Sequence, residues 1–147
     1  RLWDTRSSTP LLQSLEEATD SVSCAAGTDF IIGTASVDGG VRRYDLRNLS
    51  LTLDWIHRRQ QPCTALELGP ASLTYLVATL DDTIRAIDGR SDHEPAILQE
   101  YRGHVNCKYR VGMGWTQDGG IVYSGSEDGA LHMWPTTPRD NEQVHRR

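Results

Sequence analysis

The feature that most constrains this chain is a phrase that returns roughly every forty residues. Arg1-Leu2-Trp3-Asp4, Arg42-Arg43-Tyr44-Asp45, Arg85-Ala86-Ile87-Asp88 and Leu131-His132-Met133-Trp134 stand in equivalent places. Their anchor residues, Trp3, Tyr44, Ile87 and Trp134, lie 41, 43 and 47 residues apart. Six residues ahead of each of the last three anchors is an aspartate that opens a short turn: Asp38-Gly39, Asp81-Asp82 and Asp128-Gly129. Asp-Gly suits a two-residue hairpin turn, because glycine reaches positive φ at little cost. A period of this size means one supersecondary unit repeated, with each unit burying its faces only against its neighbours.

The segments between the turns are short and rich in strand formers. Phe30-Ile31-Ile32-Gly33-Thr34-Ala35, Tyr75-Leu76-Val77-Ala78-Thr79 and Ile121-Val122-Tyr123-Ser124 each run into an Asp turn. Leu11–Leu15 and Ala96–Tyr101 have the character of outer strands. No stretch sustains a helical period, so the expectation is an all-β fold. A four-strand unit near forty residues with a Trp-Asp ending resembles the WD-repeat family, and Gly103-His104 ahead of the last unit is its second mark. The fold expected is a WD-repeat β-propeller of about three and a half blades: a partial blade at 1–15, full blades near 19–56 and 62–101, and a fourth at 109–134 without its outer strand. Propellers of this family usually close with seven blades, so the chain is expected to belong to a longer one. Its opening on Arg1 rather than Met fits that expectation. Residues 135–147, with two prolines and no alternation, are expected to form a loop or disordered tail.

Composition narrows the function classes. A net charge of −5 argues against direct nucleic-acid binding, which calls for a basic surface. Arginine supplies 14 of the 15 basic residues, Lys108 being the one lysine, which is read as genome composition. The longest apolar runs are a few residues long, too short for a spanning helix. Cys24, Cys63 and Cys107 are spaced by 39 and 44 residues, which follows the repeat and not a disulfide framework. They are expected to be buried, reduced thiols. Asn48-Leu49-Ser50 matches a glycosylation sequon and is treated as chance, no secretory signal being visible.

The sequence lacks G-x-x-x-x-G-K, G-x-S-x-G and H-E-x-x-H, and His57, His93, His132 and His145 show no paired metal-ligand spacing. No cofactor or metal is expected. His104, Ser126, Asp128 and Trp134 could pass for a catalytic set. The resemblance to WD repeats implies instead a structural hydrogen-bond chain. In it the turn aspartate accepts from the imidazole, the imidazole meets a strand hydroxyl, and the hydroxyl meets the indole N–H. Ser124 is the rival to Ser126 for the hydroxyl. The other repeats have lost the histidine, with Ala18 and Gln60 near its place, and are expected to be stabilised mainly by apolar packing. Of the adjacent pair Arg42-Arg43, strand alternation sends the side chains opposite ways, and one is expected to cover the blade edge with its stem.

Loops opening on the Asp-turn face are where partners dock on such a fold. The candidate partner-binding residues are His57, Arg58, Arg59, Asp82, Asn106 and Lys108. Two longer phrases sharpen the resemblance. Ser36-Val37-Asp38-Gly39-Gly40-Val41-Arg42-Arg43-Tyr44-Asp45-Leu46-Arg47 and Tyr101-Arg102-Gly103-His104-Val105-Asn106 are similar to the mitogen-activated protein kinase organizer proteins. So are Tyr109-Arg110 and Ser124-Gly125-Ser126-Glu127-Asp128-Gly129. That resemblance implies a non-catalytic protein–protein scaffold of cytoplasm and nucleus, serving kinase cascades and pre-mRNA splicing complexes. The histone-methyltransferase core subunit shares Gly-His-x-Asn-x-x-Tyr and Ala78-Thr79-Leu80-Asp81, which implies a chromatin-type peptide reader. That family places an aromatic ring three residues beyond Tyr109, where this chain has Gly112. An enzyme using His104 and Asp128 is the third reading.

Overall fold

The computed structural model describes residues 1–69, 74–91 and 94–136. Among these, every regular element is a strand, and all pairing is antiparallel. Four sheets follow one another along the chain. The first joins β1 (Leu2–Trp3) to β2 (Leu11–Gln13). The second is β3 (Val22–Gly27), β4 (Ile31–Ser36), β5 (Gly40–Asp45) and β6 (Ser50–Ile56), in that order. The third is β7 (Cys63–Leu68), β8 (Thr74–Thr79), β9 (Thr83–Asp88) and β10 (Ile97–Arg102). The fourth holds β11 (Met113–Trp115), β12 (Ile121–Gly125) and β13 (Leu131–Pro135). Each four-stranded sheet is a meander, the pattern of a propeller blade.

The last strand runs past the expected end of the fourth blade. Pro135 pairs with Ile121, and Thr136 donates its N–H to the Gly120 carbonyl at 3.1 Å. The rest of the expected tail, with His145, and also His93, lie outside the described residues.

Blades are held together by side chains of neighbouring sheets. Inner strand β7 packs on β3 and β4 of the blade before it, and β11 packs on β7. One core cluster joins Cys24, Ala35 and Val41 of the second blade to Cys63, Leu66, Tyr75, Val77 and Ile87 of the third. A second joins Leu76, Ala78, Ile84, Ala86 and Tyr101 to Met113 and Val122 of the fourth. The thiols divide: Cys24 and Cys63 are buried in the first cluster, whereas Cys107 is exposed on a loop, which corrects the expectation of three buried thiols. Burial pushes the Cys63 thiol up to about 12.

The Asp turns take the geometry their sequence calls for. Gly39 and Gly129 have φ of 81° and 85°, and Asp82 takes the same left-handed place at 56°. Gly39 has a second reason to be glycine. A Cβ there would stand 2.9 Å from the backbone of Gln60, on the linker into the third blade. Gly39→Ala is therefore expected to cost at least about 1–2 kcal/mol from the left-handed backbone alone. The close approach to Gln60 adds to that. A thermal melt unchanged from the parent would remove this reading of the turn.

Candidate interaction face

The linkers between blades and the Asp turns meet at one end of the sheets, and hydrogen bonds tie them together. His57 donates its N–H to the Gly39 carbonyl at 3.4 Å, and Leu80 to the Pro62 carbonyl at 3.0 Å. At the next junction, Asn106 donates its N–H to Asp82 Oδ1 at 2.6 Å, and Glu127 its N–H to the Val105 carbonyl at 2.9 Å. The linker before each blade thus rests on the turn of the blade before or after it.

Of the six candidate residues on this face, Arg58, Arg59, Asp82 and Lys108 are exposed and His57 is half-buried. Asn106 is 0 % exposed, so it is not a contact residue. Its side-chain amide donates to Thr64 Oγ1 at 3.1 Å, fastening the linker onto the third blade. A groove alongside the face is lined by Trp55, Ile56, His57, Arg58, Pro95 and Ile97, among others, with the His57 ring set edge-on to Trp55.

A residue that sequence reasoning missed organises the linker. Glu127 Oε1 accepts the N–H groups of Cys107, Lys108 and Tyr109 at 2.8, 2.6 and 2.9 Å. These successive backbone donors, led by Tyr109, hold the Glu127 carboxyl at about 2. Three consecutive N–H groups form an anion-binding concavity, and here the chain fills it with its own carboxylate. Tyr109, 69 % exposed, stands beside it.

The expected hydrogen-bond chain takes a different form. His104 is 2 % exposed and packs edge-on to Trp134, with ring centroids 5.5 Å apart. Neither imidazole nitrogen has a hydrogen-bond partner among the described residues. The Trp134 indole N–H donates to the Arg102 carbonyl at 3.0 Å and not to a hydroxyl. Ser124 donates to the Gly125 carbonyl, and Ser126 is engaged with the Val105 backbone. Asp128 caps the turn through the Ala130 N–H at 2.9 Å and faces His132 Nε2 at 3.6 Å. The reason is local. A backbone carbonyl just ahead of Gly103 offers the indole an acceptor, and both hydroxyls are already committed to the backbone. Tyr101, His104, His132 and Trp134 form an aromatic cluster instead.

Burial holds the His104 pKa below its ordinary 6.5, against the pull of the Asp82 and Asp128 carboxylates. Below about pH 6.5 the unfolded chain takes up a proton that the folded chain refuses, so stability falls as pH drops through that window. Melting temperatures between about pH 7.5 and 5 are expected to decline, and His104→Phe to flatten the decline. An unchanged slope in the variant would place the acid response elsewhere.

The second and third blades, where the histidine is missing, do not rely on apolar packing alone. Arg42 is 2 % exposed and Arg85 1 %. Arg42 Nη2 lies 3.0 Å from Asp38 Oδ2 and its Nε 3.0 Å from Asp54 Oδ1. Arg85 repeats the arrangement with Asp81 at 2.7 Å and Glu100 at 3.0 Å. Each buried arginine links its own turn aspartate to a carboxylate on the outer strand. Asp128 and His132 hold the same four-residue spacing in the last blade. Burial works to raise the Asp38 carboxyl, but Arg42 and the N–H groups of Thr19 and Gly40 outweigh it and hold it far below the usual range. So neither arginine of the pair covers the blade edge with its stem alone. Arg43, on the opposite face, donates to Thr52 Oγ1 at 2.8 Å and to the Gly89 carbonyl of the next blade. The spacing of Asp and Arg was the available signal.

The four successive antiparallel sheets, the left-handed Asp turns and the interlocked linkers define a partial WD-repeat β-propeller. Residues 96–135 match the family described as WD domain, G-beta repeat. The chain belongs to the WD-repeat proteins. It is 38% identical over 123 residues to WD repeat domain-containing protein 83 of Homo sapiens, 84% of this chain and 37% of the relative. An uncharacterized WD repeat-containing protein of Schizosaccharomyces pombe is 36% identical over 123 residues, 84% of this chain and 39% of the relative. WD repeat-containing protein 82 of Drosophila melanogaster is 28% identical over 140 residues, 91% of this chain and 43% of the relative. The chain thus spans about two fifths of the length of the curated relatives it matches.

Proposed function

We propose that this chain is part of a non-catalytic scaffold that holds other proteins together, of the kind that organises mitogen-activated protein kinase cascades and joins pre-mRNA splicing complexes in cytoplasm and nucleus. One observation carries the reading. The Asp-turn face presents Arg58 and Arg59 on a linker tied to Gly39 and Leu80, and Lys108 and Tyr109 on a linker fastened by Glu127 and Asp82. A fixed, polar face with one exposed aromatic side chain suits protein recognition. The phrase around Val41–Arg47 supports the kinase-organizer form of the reading. The chromatin-type peptide reader needs a ring at position 112, where Gly112 leaves open space.

The test is capture from native lysate with the intact protein as bait and identification by mass spectrometry. Kinase-cascade or splicing components are expected with the parent. The variant Arg58→Glu, Arg59→Glu, Lys108→Glu is expected to lose them by at least about tenfold, the scale of one lost interface anchor. Equal capture by parent and variant would move the binding surface off this face, and histone peptides in place of kinase or splicing components would overturn the scaffold class.

A further inference from the structure

We propose that Thr9, in the β1–β2 loop, is a phosphoacceptor for a proline-directed protein kinase, and that Arg6 receives the phosphate. The inference goes beyond the scaffold reading and stands whether or not that reading holds. Residues 5–12 are exposed without interruption, Thr9 among them. The Asp4 N–H donates to the Pro10 carbonyl at 2.7 Å and closes the loop, leaving residues 5–9 exposed between its ends. A kinase cleft must take in several residues around the acceptor, and an exposed loop tip is the kind of segment that modifying enzymes reach. Pro10 follows Thr9 directly. A proline in that place has no N–H to leave unsatisfied in an apolar pocket, and it biases the residue before it toward extended backbone.

The loop's own chemistry shows where the new charge would go. Thr9 Oγ1 lies 3.3 Å from Ser7 Oγ, and the Thr9 N–H donates to that same oxygen at 3.1 Å, so among the described residues the hydroxyl is engaged only by another exposed hydroxyl. Arg6, three residues before Thr9, has its side chain 89 % exposed and rests on the Asp4 carboxylate through Nε at 3.2 Å. In the transfer, the γ-phosphoryl group of a nucleoside triphosphate passes to Thr9 Oγ1. The bond from the γ-phosphorus to the bridging oxygen breaks, a new phosphorus–oxygen bond forms, and the hydroxyl proton leaves to the kinase's base. The product carries nearly two negative charges and three acceptor oxygens, against one charge on Asp4. Arg6 therefore turns from Asp4 to the phosphate.

The experiment incubates the intact purified protein with a proline-directed kinase, magnesium and ATP, and maps phosphate by mass spectrometry. Phosphate at Thr9 is expected, lost in both Thr9→Ala and Pro10→Ala. Both substitutions fall on exposed loop positions. No phosphate at Thr9, or phosphate confined to the sequence's other Thr-Pro at Thr137-Pro138, overturns the assignment. A phosphorus NMR titration then tests the receiver. The second ionisation of the Thr9 phosphate is expected at lower pH in the parent than in Arg6→Ala, and identical titrations overturn the role of Arg6.

Discussion

Replacing Arg85 with methionine is expected to cost about 3–5 kcal/mol, because it leaves a buried charge without its partner. Arg85 Nη2 sits 2.7 Å from Asp81 Oδ2, Nη1 2.6 Å from Thr79 Oγ1, and Nε 3.0 Å from Glu100 Oε1. In the parent, burial works to raise the Asp81 carboxyl, but Arg85 and Thr79 outweigh it and hold it below its ordinary 3.8. Asp81 thus contributes stability that is present above the unfolded value and lost as pH falls through the lower folded one. Without Arg85 the strongest opposition to burial is gone and Thr79 remains, so Asp81 takes up its proton at higher pH than in the parent. The gap between variant and parent should then narrow as pH drops toward about 4. The double variant Arg85→Met, Asp81→Leu should recover much of the loss, since apolar replacement of both members of a buried pair is often close to neutral. Denaturant unfolding at neutral and acid pH checks all three outcomes. A single-variant loss under about 0.5 kcal/mol, the size of an ordinary surface change, would mean that the pair is not held as described.

Tyr75→Ala is expected to be as damaging, about 3–5 kcal/mol, for a different reason. Tyr75 is fully buried on β8, yet its ring reaches the second blade. A Cβ added at Gly33 on β4 would stand 3.0 Å from Tyr75 Cε1 and 3.2 Å from Leu66 Cδ2, so the ring lies against bare backbone. Removing it opens a void at the junction and withdraws contacts from both blades at once. Tyr75→Phe keeps the ring and should retain most of the stability. Equal losses in the two variants would shift the weight from the ring to the hydroxyl.

The repeat was legible because hairpin turns and strand alternation are local properties. Asp38-Gly39 and Asp128-Gly129 announce their φ values in the sequence, and Phe30–Ala35 or Tyr75–Thr79 announce a half- or fully buried strand. Asp82 was less transparent: a non-glycine residue takes the left-handed place, and its carboxylate accepts the Asn106 N–H. What stayed hidden was the pairing of polar atoms across blades. The fate of the Trp134 N–H depends on which acceptor lies nearest in space, and Arg102 is 32 residues away in sequence. Asn106 and Lys108 look alike as loop polars, yet one is buried against Thr64 and the other is exposed. Glu127 sits beside the turn aspartate and gives no sign in the sequence that it collects three amides 18–20 residues upstream.

That carboxylate has a bearing on association kinetics and on thermodynamic signature. A loop that must be immobilised at the moment of contact charges the complex for every residue frozen. The stretch from Cys107 to Tyr109 has already lost that freedom during folding, since Glu127 pins its amides. A protein landing on Lys108 and Tyr109 therefore meets a near-rigid body. Its binding entropy should be correspondingly mild, and encounter should need no loop rearrangement before the final complex forms.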